Sequence, residues 1–208
     1  MPWLYTQMLL VITLSIGCST QHNDIRIAVM ALGPVSDRQI DAVVDGVQKV
    51  HHLRATILPG KSMPSSAYVR SRDRYDGNAV LADLSSIQVR DFDKVIGVTN
   101  FDIGINRDGE RASGIMGIAE LDGRAALVST HRLSFGGVSP SKQMERLSRV
   151  AAHECGHTLG LPHCARKGCL MNDARGAIAT IDATSGRLCV SCRFYRPFRL
   201  KDDALVNP

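Results

Sequence analysis

The chain has 208 residues, of which 44% are hydrophobic, 22% charged and 5% aromatic. This composition is that of a globular protein, and it excludes collagenous, intrinsically disordered and membrane-bundle chains. The formal charge of +5 comes from 25 Lys and Arg against 20 Asp and Glu, without a long basic run, so no nucleic-acid partner is expected. A chain of this length buries a sufficient core by itself, so its six cysteines need another explanation.

The first feature along the chain is an apolar stretch, Met8 to Gly17, that ends at small residues and Cys18. It is shorter than the ~20 residues that cross a bilayer, and it is typical of the hydrophobic part of a signal peptide. The junction Ser15-Ile16-Gly17-Cys18 resembles the lipobox of bacterial lipoproteins, in which the cysteine becomes the lipid-attached first residue. Two departures from that pattern are the lack of Lys or Arg before the stretch and Ser15 in place of an aliphatic residue.

We therefore expect residues 1–17 to be a lipoprotein-type signal peptide and residues 18–24 to be a short tether, with Cys18 as the lipid attachment site. The protein is then exported and contacts the membrane only through this lipid anchor. If the apolar stretch is instead a strand, or follows a start site placed too far upstream, the protein is cytoplasmic. Residues 25–208 contain no repeat, low-complexity block or linker, so we expect one domain and a monomer.

From residue 25 onward the sequence alternates between strand and helix patterns. Ile25, Ile27 and Val29 alternate as in a half-buried strand, and Ser36 with Gln39 forms a capping-box pair before a helix. The elements that the pattern predicts next are a helix over 36–50, a strand over 53–58 that stops at Pro59-Gly60, a helix over 78–84 and a strand over 94–98. His51 and His52 are expected to form the exposed end of the first helix.

A hairpin and a long helix complete the predicted elements. Strands over 115–121 and 125–128 flank Asp122-Gly123, a strong hairpin signal. A long helix follows from Ser141, with apolar residues on one side. The strand and helix patterns thus alternate through this part of the chain.

The long helix carries His153-Glu154-Cys155-Gly156-His157, an HExxH motif. Residues four apart lie on one helix face, so the two imidazoles can bind one Zn²⁺, while Glu154 stands beside them without being a ligand. Gly160 can end the helix and Pro162 forbids its continuation, so His163 can return as a third ligand. Three protein ligands leave one zinc position open for water, which is the arrangement of a catalytic site.

Glu154 is the expected catalytic residue. Zinc lowers the pKa of its water from about 15.7 toward ~7, and Glu154 can accept the proton and return it to the leaving amine. The predicted function is therefore a zinc metallopeptidase that hydrolyses peptide bonds of a peptide or protein without an acyl-enzyme. The alternative is a non-catalytic zinc-binding lipoprotein of the cell envelope, which has no use for Glu154, Gly160 or Met171.

Four cysteines follow the third histidine: Cys164, Cys169, Cys189 and Cys192. Two close pairs separated by a loop of this length match a closed, tetrahedral Cys₄ zinc site. Two disulfides are the alternative if the protein is exported to an oxidising compartment. Cys155 lies outside this pattern and is expected to be a small core residue.

The complete string HExxHxxGxxHCx₄CxMx₁₇CxxC spans residues 153–192. It resembles the defining pattern of the archaemetzincins, which are metzincin-clan zinc peptidases, and every fixed position of that pattern is met. The resemblance implies one compact α/β domain: a mixed twisted sheet packed on a backing helix and an active-site helix, with a C-terminal Cys₄ segment. It implies Glu154 as the base and Met171 as the Met-turn, a hydrophobic floor beneath the catalytic metal. It also implies two Zn²⁺ per chain, a catalytic ion on His153, His157 and His163 and a structural ion on Cys164, Cys169, Cys189 and Cys192.

The resemblance further implies how a substrate docks. Metzincins bind an extended peptide along the edge strand of their sheet, and Ser113 to Glu120 is the expected edge here. Main-chain docking of this kind selects side chains weakly, so no residue preference follows from it. His131 is a weaker candidate for a substrate contact, because a lone histidine near a strand end is usually solvated.

Overall fold

A computed structural model describes residues 25–107 and 110–195 of the chain. The expected signal peptide over 1–17, the lipid attachment site Cys18 and the tether over 18–24 lie outside these described residues. None of the helices within the two ranges combines the length and apolar character needed to cross a bilayer.

The described residues form nine strands and five helices. The strands are β1 (Arg26–Leu32), β2 (Arg54–Lys61), β3 (Tyr68–Val69), β4 (Arg74–Asp76), β5 (Lys94–Thr99), β6 (Ile103–Arg107), β7 (Glu110–Ile115), β8 (Gly117–Ala119) and β9 (Ala125–Ser129). The helices are α1 (Asp37–His51), α2 (Gly77–Ser86), α3 (Pro140–Thr158), α4 (Ile178–Ala183) and α5 (Val190–Phe194). Three short 3₁₀ helices, Ser65–Ala67, Arg70–Arg72 and His131–Ser134, lie between them.

The strands form two sheets. The larger has the order β2-β1-β5-β9-β8, in which the first four strands run parallel and β8 runs antiparallel to β9. The smaller has the order β3-β4-β6-β7. The predicted α/β class with a mixed sheet is therefore confirmed.

The larger sheet is covered on both faces. Ile27 and Val29 of β1 pack into one apolar core with α1 and α3, whereas Ala28 and Met30 pack into a second core with α2 and the smaller sheet. This alternation follows from the two-residue period of a strand. The backing helix and the active-site helix are confirmed as α1 and α3, and the helix predicted over 78–84 is confirmed as α2. The smaller sheet, which packs with α2, is an addition to the prediction.

The first predicted helix is confirmed as α1. The backbone N–H of its N-cap, Ser36, donates to Oε1 of Gln39 over 2.9 Å, as the capping-box pattern predicts. The prediction of an exposed helix end is wrong for His51, although His52 is exposed. The Nε2 atom of His51 lies 2.7 Å from the carbonyl oxygen of Ala152 in α3, and burial lowers the pKa of this imidazole. The two helices are thus joined by a polar contact one residue before His153.

One predicted strand boundary differs because of the position of β2 in the sheet. β2 continues through Pro59-Gly60 to Lys61 instead of stopping there. It is an edge strand, so the missing N–H of proline removes no hydrogen bond from a second neighbour. The register with β1 shifts between Met30 and Leu32, which accommodates the additional residue.

The strand predicted over 115–121 is divided between the two sheets. Ile115 ends β7, which pairs with β6 in the smaller sheet, while only 117–119 pair with β9 in the larger one. The hairpin around Asp122-Gly123 is confirmed, and Asp122 has a φ of 57°, in the left-handed region. The predicted edge segment is therefore continuous along the chain but passes from one sheet to the other at Met116.

Candidate metal centre and active-site cleft

Helix α3 presents two different faces. Its N-cap is Ser139, whose hydroxyl accepts from the backbone N–H of Lys142 over 3.2 Å, and Pro140 occupies the first turn. Leu147, Ala151 and Cys155 are fully buried against the larger sheet. The opposite face points His153 and His157 into a cleft below β8.

The end of α3 returns the chain toward this cleft. Gly160 has a φ of 84°, and its N–H donates to the carbonyl oxygen of His157 over 2.8 Å. The N–H of Leu161 donates to the carbonyl oxygen of Gly156 over 2.9 Å. The helix therefore ends in a glycine-dependent left-handed turn, after which His163 comes back to the other two histidines.

Three imidazole nitrogens converge at the cleft. Nε2 of His157 lies 3.0 Å from Nε2 of His153 and 3.2 Å from Nε2 of His163. A tetrahedral Zn²⁺ bound at 2.0–2.1 Å separates its nitrogen ligands by about 3.3 Å, so the observed spacing is close to that of a zinc site. These residues are the cluster that the HExxHxxGxxH motif predicts.

In the rings of His153 and His157, hydrogen bonds to the backbone determine which nitrogen faces the cluster. Nδ1 of His153 lies 2.8 Å from the carbonyl oxygen of Leu170, and Nδ1 of His157 lies 2.8 Å from that of Leu161. Since a carbonyl only accepts, each Nδ1 carries the proton and each Nε2 presents a lone pair. Burial lowers the pKa of His153 to about 4 and also lowers the pKa of His157, which keeps both rings neutral. Converging lone pairs without a proton between them are the donor set of a cation, and they fit Zn²⁺.

Glu154 lies in the same cleft and is only 7% exposed. Burial raises the pKa of this carboxyl to about 8, whereas a dication held by the adjacent histidines acts in the opposite direction. The carboxylate is packed against β8, because a Cβ placed on Gly117 would lie 2.5 Å from Oε1 and 2.6 Å from Cγ of Glu154. A proton-accepting group is thus held between the histidine cluster and the edge strand.

The cleft encloses a volume of about 240 Å³. β8 forms one wall, the histidines and Glu154 form the floor, and the segment 172–176 with α4 forms the opposite side. Val150, Leu170 and Ile181 add an apolar surface. An open groove beside an edge strand has the shape that accommodates an extended chain.

Met171 lies directly beneath the helix that carries the histidines. Its side chain is fully buried, and a Cβ on Gly156 would lie 2.6 Å from its sulfur. It packs with Leu161 and Cys169 in a small separate core. The side chain of Met171 thus fills the space beside Gly156 of α3, and the Met-turn role that the resemblance implies for it stays a prediction.

The four cysteines of the predicted second site also converge. Their sulfurs all lie within 4.8 Å of one another, with 3.9 Å between Cys164 and Cys189 and 3.7 Å between Cys169 and Cys192. Four sulfurs bound tetrahedrally to Zn²⁺ at about 2.3 Å are about 3.8 Å apart. No disulfide joins these four cysteines, all of which lie within the described ranges. The geometry therefore fits a closed zinc site and not the alternative of two disulfides.

Two other predictions concern single residues. Cys155 is fully buried, and burial raises the pKa of its thiol to about 12, so it is an inert core residue as predicted. His131 is exposed on the short helix before α3 and is not among the residues that line the cleft. Its imidazole instead lies edge-on to Phe135, with 6.4 Å between ring centroids.

The sequence pattern did not identify the groups that orient the histidines. The carbonyl oxygens of Leu161 and Leu170 carry no side-chain signature, so no motif could have marked them. Asp173 has a detectable signal, a carboxylate shortly after the motif methionine, and its Oδ2 lies 3.9 Å from Nδ1 of His163. Gly117 lies on the predicted edge segment, but no feature of the sequence marks it as a neighbour of Glu154.

Comparison with known sequences places this geometry among zinc peptidases. A family model described as Peptidase family M54 matches residues 12–195, a range that includes the cleft and both clusters. An archaemetzincin of Natronomonas pharaonis is 33% identical over 172 residues, which cover 77% of this chain and 94% of that protein. An archaemetzincin of Methanocaldococcus jannaschii is 32% identical over 171 residues, which cover 80% of this chain and 90% of that protein.

Solved structures with a similar fold are also archaemetzincins. The crystal structure of archaemetzincin from Methanopyrus kandleri superposes with a TM-score of 0.71 at 25% identity, covering 84% of this chain and 94% of that one. The structure of archaemetzincin from Archaeoglobus fulgidus, complexed with malonate, superposes with a TM-score of 0.68 at 25% identity. It covers 81% of this chain and 98% of the other.

Proposed function

Because the chain belongs to peptidase family M54, the archaemetzincins, and is a zinc metallopeptidase, we propose that Glu154 is its catalytic base. The catalytic Zn²⁺ is held in this proposal by His153, His157 and His163. The observation that carries the proposal is that Nε2 of His157 lies 3.0 Å from Nε2 of His153 and 3.2 Å from Nε2 of His163, next to a buried carboxylate in an open cleft.

The chemistry divides between the metal and the side chains of the chain. Zn²⁺, when bound, supplies an acidified water and a Lewis acid for the carbonyl of the scissile peptide bond. Glu154 accepts the proton of the attacking water and donates it to the amine nitrogen as that nitrogen leaves. The hydrogen bonds from Nδ1 of His153 and His157 to backbone carbonyls hold both rings in one orientation throughout.

The second Zn²⁺ has a structural role in this proposal, held by Cys164, Cys169, Cys189 and Cys192. Four protein ligands leave no position for water, so such a site contributes folding energy and not chemistry. The sulfur distances of 3.7 and 3.9 Å support it. Held by these four cysteines, the ion would join the loop after His163 to the N-terminal part of α5.

We further propose that the substrate docks as an additional strand on β8. The backbone N–H of Glu120 donates to the carbonyl oxygen of Ala125, and the N–H of Ser129 donates to the carbonyl oxygen of Met116. The main-chain groups of the even-numbered residues on and beside β8 therefore face β9. By this period of two, the N–H groups of Gly117 and Ala119 point away from β9, toward the cleft side of the edge. Main-chain groups that no neighbouring strand uses are the groups to which an extended peptide binds.

Proline substitutions test this docking model. Ala119→Pro removes an outward N–H and is expected to raise KM for peptides while the protein stays folded. Ile118→Pro is the control, because it removes an N–H that faces β9 and is expected to destabilise the hairpin itself. The model is abandoned if a folded Ala119→Pro protein cleaves peptides with an unchanged KM.

The catalytic proposal is tested by zinc content and peptide hydrolysis together. The protein starting after Cys18 and its Glu154→Gln variant are assayed with a mixture of quenched fluorescent peptides. We expect two zinc ions per chain in both proteins, and hydrolysis in the native protein alone. Equal turnover in both proteins contradicts the role of Glu154, and one zinc per chain contradicts the Cys₄ site. Two zinc ions with no turnover of any peptide or protein favour the non-catalytic zinc-binding lipoprotein.

For localisation we propose export as a lipoprotein anchored at Cys18. The support is the apolar stretch over 8–17 and the lipobox-like junction that follows it. Expression of the full chain in a bacterium with labelled palmitate tests this, with Cys18→Ser as the matched control. Label and membrane association in the native chain only are expected, and an unlabelled native chain in the cytoplasm supports the alternative.

A further inference from the structure

The close approach of β8 to Glu154 sets a shape requirement at one residue. All three of the atoms nearest to a Cβ on Gly117 belong to Glu154: Oε1 at 2.5 Å, Cγ at 2.6 Å and Cδ at 2.8 Å. Real Cβ atoms do not approach other heavy atoms closer than about 3.0 Å. The side chain of Glu154 therefore occupies the volume that any residue other than glycine would fill at position 117.

Glu154 is attached to a firmly packed part of α3. It is 7% exposed, and it lies on α3 between Cys155, which is fully buried, and His153, whose Nδ1 is hydrogen-bonded to Leu170. The backbone of this part of α3 is packed against the larger sheet. A carboxylate displaced by a side chain at position 117 would have to rotate within the cleft.

We propose that Gly117 is a positioning residue for the catalytic base: the absence of a side chain there lets the edge strand hold the Glu154 carboxylate beside the histidine cluster. This inference rests on the proposed role of Glu154 and deepens it. It also links substrate docking with proton transfer, because Gly117 offers an outward N–H to the substrate and contacts Glu154 at the same time.

Kinetics of Gly117→Ala test the positioning role. A shift of the carboxylate of about 1 Å reduces the rate of the chemical step by up to about 100-fold, so we expect kcat to fall about 10- to 100-fold. Since Ala retains the outward N–H of residue 117, KM is expected to change less than about threefold, and zinc content to stay at two per chain. Gly60→Ala is the matched control, a glycine on the opposite edge strand β2, away from the cleft, and its kcat is expected to be unchanged.

A thermal unfolding cycle tests the contact itself without any assay of activity. Gly117→Ala is expected to lower Tm by about 3 to 8 °C in the native background, because an overpacked site must rearrange. In a Glu154→Ala background the same change is expected to leave Tm unchanged or higher, since the added methyl group then has space and alanine is a better strand residue than glycine.

Two results would overturn the inference. One is a Gly117→Ala protein whose kcat stays within twofold of native, or whose loss lies entirely in KM. The other is an equal loss of Tm in both backgrounds, which would mean that the methyl group clashes with something other than Glu154. If Glu154→Gln retains full turnover, the catalytic proposal fails, and the unfolding cycle alone then decides whether Gly117 holds this side chain.

Discussion

The Nδ1 atom of His153 lies 2.8 Å from the carbonyl oxygen of Leu170, and Leu170 stands between Cys169 and Met171 in the chain. A residue of the histidine cluster is therefore oriented by the backbone of the cysteine segment. The N–H of Leu170 donates to the carbonyl oxygen of Arg187 over 2.9 Å. This hydrogen bond joins the backbone of Leu170 to the segment that precedes Cys189. The histidine cluster and the cysteine segment are therefore connected through the backbone of one residue, Leu170.

Loss of the cysteine cluster is accordingly expected to weaken the histidine cluster. We predict that Cys169→Ser binds about one zinc per chain and that its remaining zinc is bound about 10- to 100-fold more weakly, as is typical when a partner of a ligating histidine is disturbed. Competition with a chelator measures this affinity. Cys155→Ala is the control, since it removes a buried thiol outside the cluster and is expected to retain both ions. An unchanged affinity of the histidine site in Cys169→Ser would show that the two sites are independent.

Met171 is expected to contribute to stability through packing. It is fully buried, so Met171→Ala leaves a cavity beneath α3 and is predicted to cost about 2–5 kcal/mol. Met171→Leu conserves volume and is predicted to cost less than about 1.5 kcal/mol. Chemical denaturation of both variants in the same zinc buffer measures the difference. Equal costs for the two variants would mean that the volume filled by the side chain at position 171 does not determine stability.

Lys94 connects the hairpin to the end of the histidine-bearing helix. Its ammonium group donates to the carbonyl oxygens of Gly123 and Thr158, both over 2.8 Å, and the side chain is 6% exposed. Lys94→Met keeps the apolar stem but leaves two carbonyls without this donor, so we predict a loss of about 2–4 kcal/mol in the free energy of unfolding. Lys49→Met, which removes an exposed ion pair on α1, is the control and is expected to cost less than about 1 kcal/mol.

Hydrogen exchange locates the effect of Lys94. The N–H of Asp122 donates to the carbonyl oxygen of His157 over 2.9 Å, so the hairpin tip is attached to α3 at a residue of the histidine cluster. In Lys94→Met the amide of Asp122 is expected to exchange faster than in the native protein. Unchanged protection there would assign the stability loss to some other part of the fold.

The ion pair of Arg146 and Asp182 predicts a dependence of stability on pH. Nε and Nη2 of Arg146 lie 3.0 and 2.6 Å from the two carboxylate oxygens, and this pairing lowers the pKa of Asp182 to about 2 from 3.8. Because the pKa is lower in the folded state, the pair stabilises the protein above about pH 4. That contribution is lost as the pH falls from about 4 to about 2.

Asp182→Asn measures this contribution. The variant leaves the guanidinium of Arg146 buried without its counter-charge, and we predict a loss of about 2 kcal/mol near pH 6, less than for a fully buried pair because Asp182 is 29% exposed. The difference in Tm between native protein and variant is expected to shrink between pH 4 and 2. A difference that stays constant over this range would show that Asp182 acts through packing and not through its charge.

Parts of this fold could be predicted because they are local. The capping box of Ser36 and Gln39, the alternation in β1 and the hairpin at Asp122 all depend on residues within a few positions of one another. The same is true of the turn at Gly160 that returns the third histidine. The division of 115–121 between two sheets was not predictable in this way, because it depends on which distant strand each half meets.

The identity and spacing of the metal-ligating residues were determined by the sequence alone, since a helix of 3.6 residues per turn brings His153 and His157 to one face whatever surrounds it. Only the tertiary structure decided which nitrogens face the cluster, and that Gly117 leaves room for Glu154. The acceptor for His153 is a backbone carbonyl 17 residues away, and a carbonyl is present at every residue. Contacts of this kind arise when elements pack together, and the amino-acid types along the chain leave no trace of them.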